Sequence, residues 1–413
     1  NAQGLFLETN GPNSVVSTWE FDINYQSKFE AGIAELNQVL QNDRHTLVFG
    51  GRYQRGHIRT SNQLENSGTP APFLTPVDDS TDQDFERGTA YAYYSIKLLD
   101  PLILLGGVAY DHVRFPENFR NPPVTPGEAE REQVGPKAAL TWTPAKQVTV
   151  RGAYSRSLGG VNLDQSVRLE PTQLAGFVQT FRTLIPESLA GPVAAEAFET
   201  AGLATDVRLS GHTYLGLQGE RLAANVTHAI GLRETEFIAP FPPAGVASTP
   251  EKLHFLEHAA SVTLNQIVSD EWAFGLSYRF TRSKLRTTLA EVPVTRFPSA
   301  DRTEESDLHQ FALFALFNHA SGFFARPELD WYLQQNREHF FDYTHVAFRD
   351  VDRPGDEFPQ LNLLVGYRFP RQHGDMTLGL LNVTGEDYHL KPLNSYSELP
   401  RERVFYARLR FRF

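Results

Sequence analysis

Several stretches of the chain alternate strictly between apolar and polar positions. Over 272 to 281, Trp272, Phe274, Leu276, Tyr278 and Phe280 fall on one side and Ala273, Gly275, Ser277, Arg279 and Thr281 on the other. Over 325 to 334, Ala325, Pro327, Leu329, Trp331 and Leu333 oppose Arg326, Glu328, Asp330, Tyr332 and Gln334. Over 361 to 369, Leu361, Leu363, Val365, Tyr367 and Phe369 oppose Asn362, Leu364, Gly366 and Arg368. The last stretch, Arg401 to Phe413, sets Phe405, Ala407, Leu409, Phe411 and Phe413 against Tyr406, Arg408, Arg410 and Arg412. A period of two is that of a β-strand, since a helix would mix the two sets. A wall between lipid and a watery interior satisfies both faces at once.

The connections carry a second pattern. Long polar segments (60 to 86, 115 to 132, 158 to 197, 234 to 251, 288 to 304, 338 to 357, 387 to 400) alternate with short turns at Asn42-Asp43-Arg44, Leu99-Asp100-Pro101, Thr143 to Lys146, Ser210-Gly211, Val268 to Asp270, Ala320 to Gly322 and Arg371 to Gly374. Transmembrane barrels sort their loops this way, with short periplasmic turns and long outer loops. The spacing predicts an all-β, antiparallel up-and-down barrel of about sixteen strands, a single domain over 1–413 with both termini periplasmic. Residues 1–13 read as a periplasmic lead-in or an extra strand. Val15 to Tyr25 and Glu30 to Leu40 read as two extended segments joined at Ser27-Lys28, the second alternatively as an amphipathic helix with Ile33, Leu36, Val39 and Leu40 on one face, and residues 102 to 110 and 311 to 317 are apolar on both faces.

Composition narrows this picture. No run of about 18 apolar residues exists, which removes transmembrane helices but not strands that meet lipid with every second residue. The 30 Phe and 15 Tyr suit aromatic girdles. The absence of cysteine removes disulfides and Cys-based zinc sites. A net charge of −11 argues against nucleic acid as a partner. The expected partners are outer-membrane lipid and periplasmic or surface proteins; no cofactor is implied.

Arg151, Arg208, Arg279, Arg326, Arg368, Arg408, Arg410 and Arg412 fall on predicted lumen faces. There they would either select anions or pair with wall acids such as Asp206, Glu328 and Asp330. Asp78, Asp79, Asp82 and Asp84 crowd an outer segment and could offer Ca²⁺ hard oxygen ligands, but the turn glycine of an EF-hand loop is missing. His254 and His258 share a strand face about 13 Å apart, too far to chelate one ion. No Gly-x-Ser-x-Gly or comparable motif supports an enzyme. Segment 158 to 197 carries Leu169, Leu174, Phe177 and Phe181, too apolar for a loop standing in water. It is expected to fold inward and narrow the pore, or to dock a partner.

Thr377-Leu378-Gly379-Leu380-Leu381-Asn382-Val383-Thr384-Gly385-Glu386-Asp387-Tyr388, with Arg401-Glu402-Arg403-Val404-Phe405, resembles the closing hairpin of TonB-dependent receptors, and a last strand ending on Phe413 resembles the assembly signal of outer-membrane barrels. Leu169-Glu170-Pro171-Thr172-Gln173-Leu174-Ala175-Gly176-Phe177 is similar to barrels fused behind tetratricopeptide repeats, such as polysaccharide exporters. The sequence contains neither a plug domain, nor a TonB box, nor such repeats. The barrel pattern and its inward arginines are expected to form an outer-membrane channel passing polar or anionic solutes or polymer; the alternatives are an anchor or sleeve for a larger surface assembly and, as the resemblance implies, the barrel part of a TonB-dependent receptor lacking its plug in this chain.

Overall fold

The computed structural model describes residues 2–7, 16–66, 77–119, 124–161, 167–179, 185, 187–191, 193–209, 211–234, 245–292, 294, 298–342, 347–370 and 373–411. Phe181, Arg412 and Phe413 lie outside them. The strands are β1 (Ala2–Leu7), β2 (Val16–Gln41), β3 (His45–Asn66), β4 (Val77–Leu99), β5 (Leu102–Asn118), β6 (Thr125–Ala145), β7 (Val148–Leu158), the short β8 (Gln173–Leu174) and β9 (Phe177–Val178), β10 (Ala197–Arg208), β11 (Thr213–Glu234), β12 (Gly245–Ile267), β13 (Trp272–Leu289), β14 (Asp301–Asn318), β15 (Phe323–Asp342), β16 (Ala347–Arg353), β17 (Glu357–Arg368), β18 (Gly374–Leu381) and β19 (Val404–Phe411).

All but β8 and β9 belong to one seventeen-stranded sheet. β16 and β17 pair with successive stretches of the same strand, β15, so together they form one wall element. β7 pairs directly with β10 across the long connection. The result is an antiparallel up-and-down barrel whose size matches the expected strand number.

Apolar side chains face out in a belt near the short-turn end, as the alternation predicts. Trp272, Phe274, Leu276, Phe311, Leu329, Trp331, Leu363, Val365, Phe405, Leu409 and Phe411 are all exposed, Phe405 by 70%. A soluble protein does not leave so continuous an apolar band in water. The rings also brace one another across strands. Trp272 and Phe317 lie 4.7 Å apart, as do Tyr278 and Phe311.

On the lumen side, glycines stand opposite aromatic residues in register: Gly50 with Tyr91, Gly107 with Tyr93, Gly275 with Phe314, Gly366 with Phe324, and Gly379 with Tyr406. Each aromatic side chain closely approaches the bare backbone; a Cβ on Gly275 would sit 2.2 Å from the Phe314 ring. Only glycine leaves room for a ring pressed against the next strand.

The structure corrects three sequence expectations. Ser27-Lys28 is not a turn, because β2 runs through it, paired with Arg59 and Thr60 of β3. Among the described residues, most of 60 to 86, 115 to 132, 234 to 251 and 338 to 357 is strand rather than loop. Once a strand leaves lipid its outward residues turn polar and the alternation fades, yet the backbone ladder continues. Above the belt the outward faces carry charge, sorted by strand: Arg59 of β3 meets Asp82 of β4 at 2.8 Å, and His112 of β5 meets Glu132 of β6 at 3.3 Å. Arg282 of β13 meets Asp307 of β14 at 2.7 Å, and His339 of β15 meets Asp350 of β16 at 2.8 Å. Opposite charges on neighbouring strands are the stabilising cross-strand arrangement. The third correction concerns 387 to 400, which is not an outer loop but turns back into the barrel.

Candidate functional site in the lumen

The connection between β7 and β10 enters the barrel. Its base continues the two strands as a ribbon, with Gly159 N donating to the Glu196 carbonyl at 2.7 Å and a bridge between Val161 and Ala194. Further in, β8 and β9 form a tip hairpin turned by Ala175 (φ 46°) and Gly176 (φ 90°), both left-handed as a two-residue turn requires. The Arg151 guanidinium donates to the Ala175 carbonyl at 3.2 Å, so the tip hangs on the fourth residue of β7, close to its short-turn start.

Leu174 is buried among Tyr91, Tyr93 and Ala109 of the wall, and the Phe177 ring covers Gly202 of β10. The Leu169 side chain is exposed, while its carbonyl accepts from Asn37 at 3.2 Å. Of the four loop residues singled out in the sequence, Leu174 and Phe177 thus meet the wall with their side chains, Leu169 does so only through its backbone, and Phe181 is not described.

A buried polar layer backs this contact. Glu170 N donates to Glu35 at 3.1 Å, the Tyr93 hydroxyl donates to Glu170 at 2.6 Å, and Arg52 donates to the Val167 carbonyl at 3.0 Å. Behind them Arg87 donates to Asp111 at 2.7 Å and to the Leu158 carbonyl at 2.8 Å, while Thr89 donates to the same carboxylate. On the loop, burial pushes the Glu170 carboxyl up, against the opposing pull of Tyr93 and Lys137. Replacing Asp111 with Ala leaves the Arg87 guanidinium, 1% exposed, without its carboxylate. The expected cost is about 3 to 5 kcal/mol, read as a lower temperature at which the folded barrel loses its compact gel mobility.

The second inward strap is the connection 382–403. Asn382 starts it with φ 51° and donates to the carbonyls of Glu386 and Pro400 at 2.8 and 3.0 Å. Asn394 is its hub. It donates to the Thr281 and Ser306 carbonyls and to Ser283, and accepts from Gln334 at 3.0 Å. Leu393 joins Ile185 and Val193 of the first strap in one apolar cluster with Phe198, Phe255 and Leu285 of the wall. Asn394→Ala removes several buried bonds at once. It is expected to cost about 1 to 3 kcal/mol and to expose 387–400 to limited proteolysis.

Seven of the eight arginines singled out in the sequence are described, on strand faces opposite the exposed apolar belt. Arg151 meets Asp206 at 2.9 Å, Arg279 meets Glu220 at 3.5 Å, Arg326 meets Glu328 at 2.9 Å, and Arg408 and Arg410 share Asp375. Arg208 donates to the Gly211 carbonyl, and Arg368 lies 4.7 Å over the Phe324 ring. Most of their charge is therefore countered by wall carboxylates.

The four aspartates do not come together as a metal site. They lie on β4, where Asp82 and Asp84 take Arg59 and His57, Gln63 donates to Asp78, and Asp79 points to the opposite face. No metal-binding group of side chains occurs among the described residues.

Sequence reasoning missed Glu35, Arg52, Arg87, Asp111 and Tyr93, as well as the second strap. The legible signal was polar residues, several of them charged, at inward positions deep in strands otherwise lined by small ones.

An outward apolar belt, a polar lumen and sorted connections define an outer-membrane β-barrel. The family model described as TonB dependent receptor-like, beta-barrel matches residues 3–180. Among solved structures, the copper transporter OprC aligns with TM-score 0.56 at 11% identity over 95% of this chain and 59% of its own. The FrpB iron transporter from Neisseria meningitidis aligns at 0.54 and 9% over 96% and 55%. The ferric yersiniabactin uptake receptor FyuA from Yersinia pestis aligns at 0.50 and 12% over 98% and 55%. The chain thus resembles the barrel of TonB-dependent receptors and spans less than two thirds of these relatives. No curated protein sequence matches it.

Proposed function

We propose that the chain forms the wall of an outer-membrane transport protein of the TonB-dependent type, a passage that is shut at rest and opens when its inward straps move. The observation that carries this reading is the packing of 167–179 and 382–403 against the lumen wall, joined through Leu393, Ile185 and Val193. A permanently open pore has no use for two such inserts, and a simple anchor has no use for a polar lumen. The cargo is a polar or anionic solute, a negatively charged metal chelate being one example. Arg368, stacked on Phe324, carries the lumen charge best placed to meet it. The short-turn end faces the periplasm, and the chain has no catalytic role. Planar-bilayer recording of the intact chain tests the reading. Rare, brief openings are expected, and a steady conductance would overturn it.

A further inference from the structure

Above the belt, among the described residues, the strand-by-strand exchange of charge fails at one place. β11, β12 and β13 all present basic residues outward: Arg221 on β11, Lys252, His254 and His258 on β12, and Arg282, Lys284 and Arg286 on β13. In register, His258 stands between Arg221 and Arg282, and His254 between Asn225 and Arg286. Lys252 stands between Thr227 and Thr288.

The flanking cations have partners further out. Arg221 lies 3.8 Å from Glu199, and Arg282, Lys284 and Arg286 pair with Asp307, Glu305 and Asp301 of β14. The carboxylates of β12 itself turn into the lumen, Glu251 to His228 at 2.7 Å and Glu257 to Ser283 at 2.9 Å. Among the described residues the exposed row Lys252, His254 and His258 therefore has no carboxylate. Lys252 is thus an ammonium with no carboxylate beside it, and His258 is a hydrogen-bonding ring set between two guanidinium groups, an arrangement open to an anion from outside.

The height of the row identifies the anion. On β13 the outward series Trp272, Phe274, Leu276, Tyr278 and Phe280 is apolar, and the next outward residue is Arg282, opposite His258. The row thus begins where hydrocarbon ends, at the long-connection end of the barrel. Given the orientation stated under Proposed function, this is the headgroup level of the outer leaflet.

We propose that this face binds the phosphate groups of a phosphorylated glycolipid of the outer leaflet. The lipid's acyl chains would lie on the aromatic belt below, and its phosphates between Arg221, His258 and Arg282 and beside Lys252. Imidazolium, ammonium and guanidinium groups all form charge-assisted bonds to phosphate. A free phosphate would gain no such anchorage from the belt.

The test uses the whole chain in nanodiscs titrated with bisphosphorylated lipid A, followed by native mass spectrometry. The triple variant Lys252→Gln, His254→Gln, His258→Gln is expected to bind about tenfold more weakly. A matched variant on β3, Arg55→Gln, His57→Gln, Arg59→Gln, where the counter-charge is already supplied, is expected to bind like the parent. Dephosphorylated lipid A should bind the parent and the β12 variant equally. The proposal falls if the β12 variant binds as well as the parent, if both triple variants lose equally, if removing the phosphates changes nothing, or if millimolar inorganic phosphate displaces the lipid completely. The row lies outside the lumen, so conductance at rest is expected to be the same in parent and variant. An open pore would count against the transport reading and leave the lipid result standing.

Discussion

Deleting residues 167–179 and bridging the gap with a short Gly-Ser segment is expected to turn a quiet barrel into a conducting one. The removed piece contains the tip hairpin, Leu174 in its pocket, Phe177 over Gly202 and the backbone groups held by Glu35, Arg52 and Arg151. None of these contacts is part of the β7 to β10 ladder, which runs from Leu158 with Ala197 to Val148 with Val207 and would remain. The wall should therefore fold. Barrels of sixteen to eighteen strands leave an aqueous channel where nothing fills them; with 382–403 still in place only the share of the lumen covered by 167–179 is opened, and mean current in planar bilayers should rise more than about tenfold if that share is the one that seals the passage. The weaker variant Leu174→Asp should give flickering openings, because a carboxylate cannot stay in the pocket of Tyr91 and Tyr93 without a partner. If the deleted chain folds and remains silent, the loop does not close the passage.

Gly366→Val is expected to damage assembly of the wall severely. A Cβ at this position would lie 2.4 Å from the Phe324 ring and 2.5 Å from the Met376 carbonyl on the opposite neighbour. The ring could rotate away and give up its contact with Arg368, but the carbonyl belongs to the ladder with β18. Overpacking of this kind costs about 1 to 3 kcal/mol for side chains alone; the backbone clash adds to it. The yield of heat-modifiable barrel after refolding should fall several-fold. Adding Phe324→Ala should restore part of the yield, because it relieves the ring and leaves the carbonyl. Full recovery would mean that the carbonyl contact has no weight.

The sequence discloses the wall better than its contents. The inward and outward sets of 272 to 281, 325 to 334 and 361 to 369 follow directly from a period of two, because lipid on one face leaves no freedom to mix them. Strand ends were misplaced wherever Asp, Glu, Arg and Thr face out above the bilayer, as in β4 from Asp78 to Glu86. There water tolerates any polar residue and the pattern stops reporting on the backbone. The apolar content of 158 to 197 disclosed that the segment must be covered, but not by what. Its partners Glu35, Tyr93 and Arg52 come from strands more than seventy residues upstream. The second strap was hidden for the same reason. Asn394 looks like an ordinary loop asparagine until Ser283, Ser306 and Gln334 surround it.

Strands such as β11, with 22 residues, are far longer than a bilayer needs. A transmembrane strand crosses in about 9 to 11 residues, so roughly half of each such strand stands clear of the hydrocarbon as hydrogen-bonded sheet. With the orientation proposed above, the cell surface around this protein carries a stiff collar of sheet. Amide protons in that collar should exchange slowly well beyond the lipid plane, and a large particle arriving from the medium would touch its rim before it could reach the neighbouring bilayer.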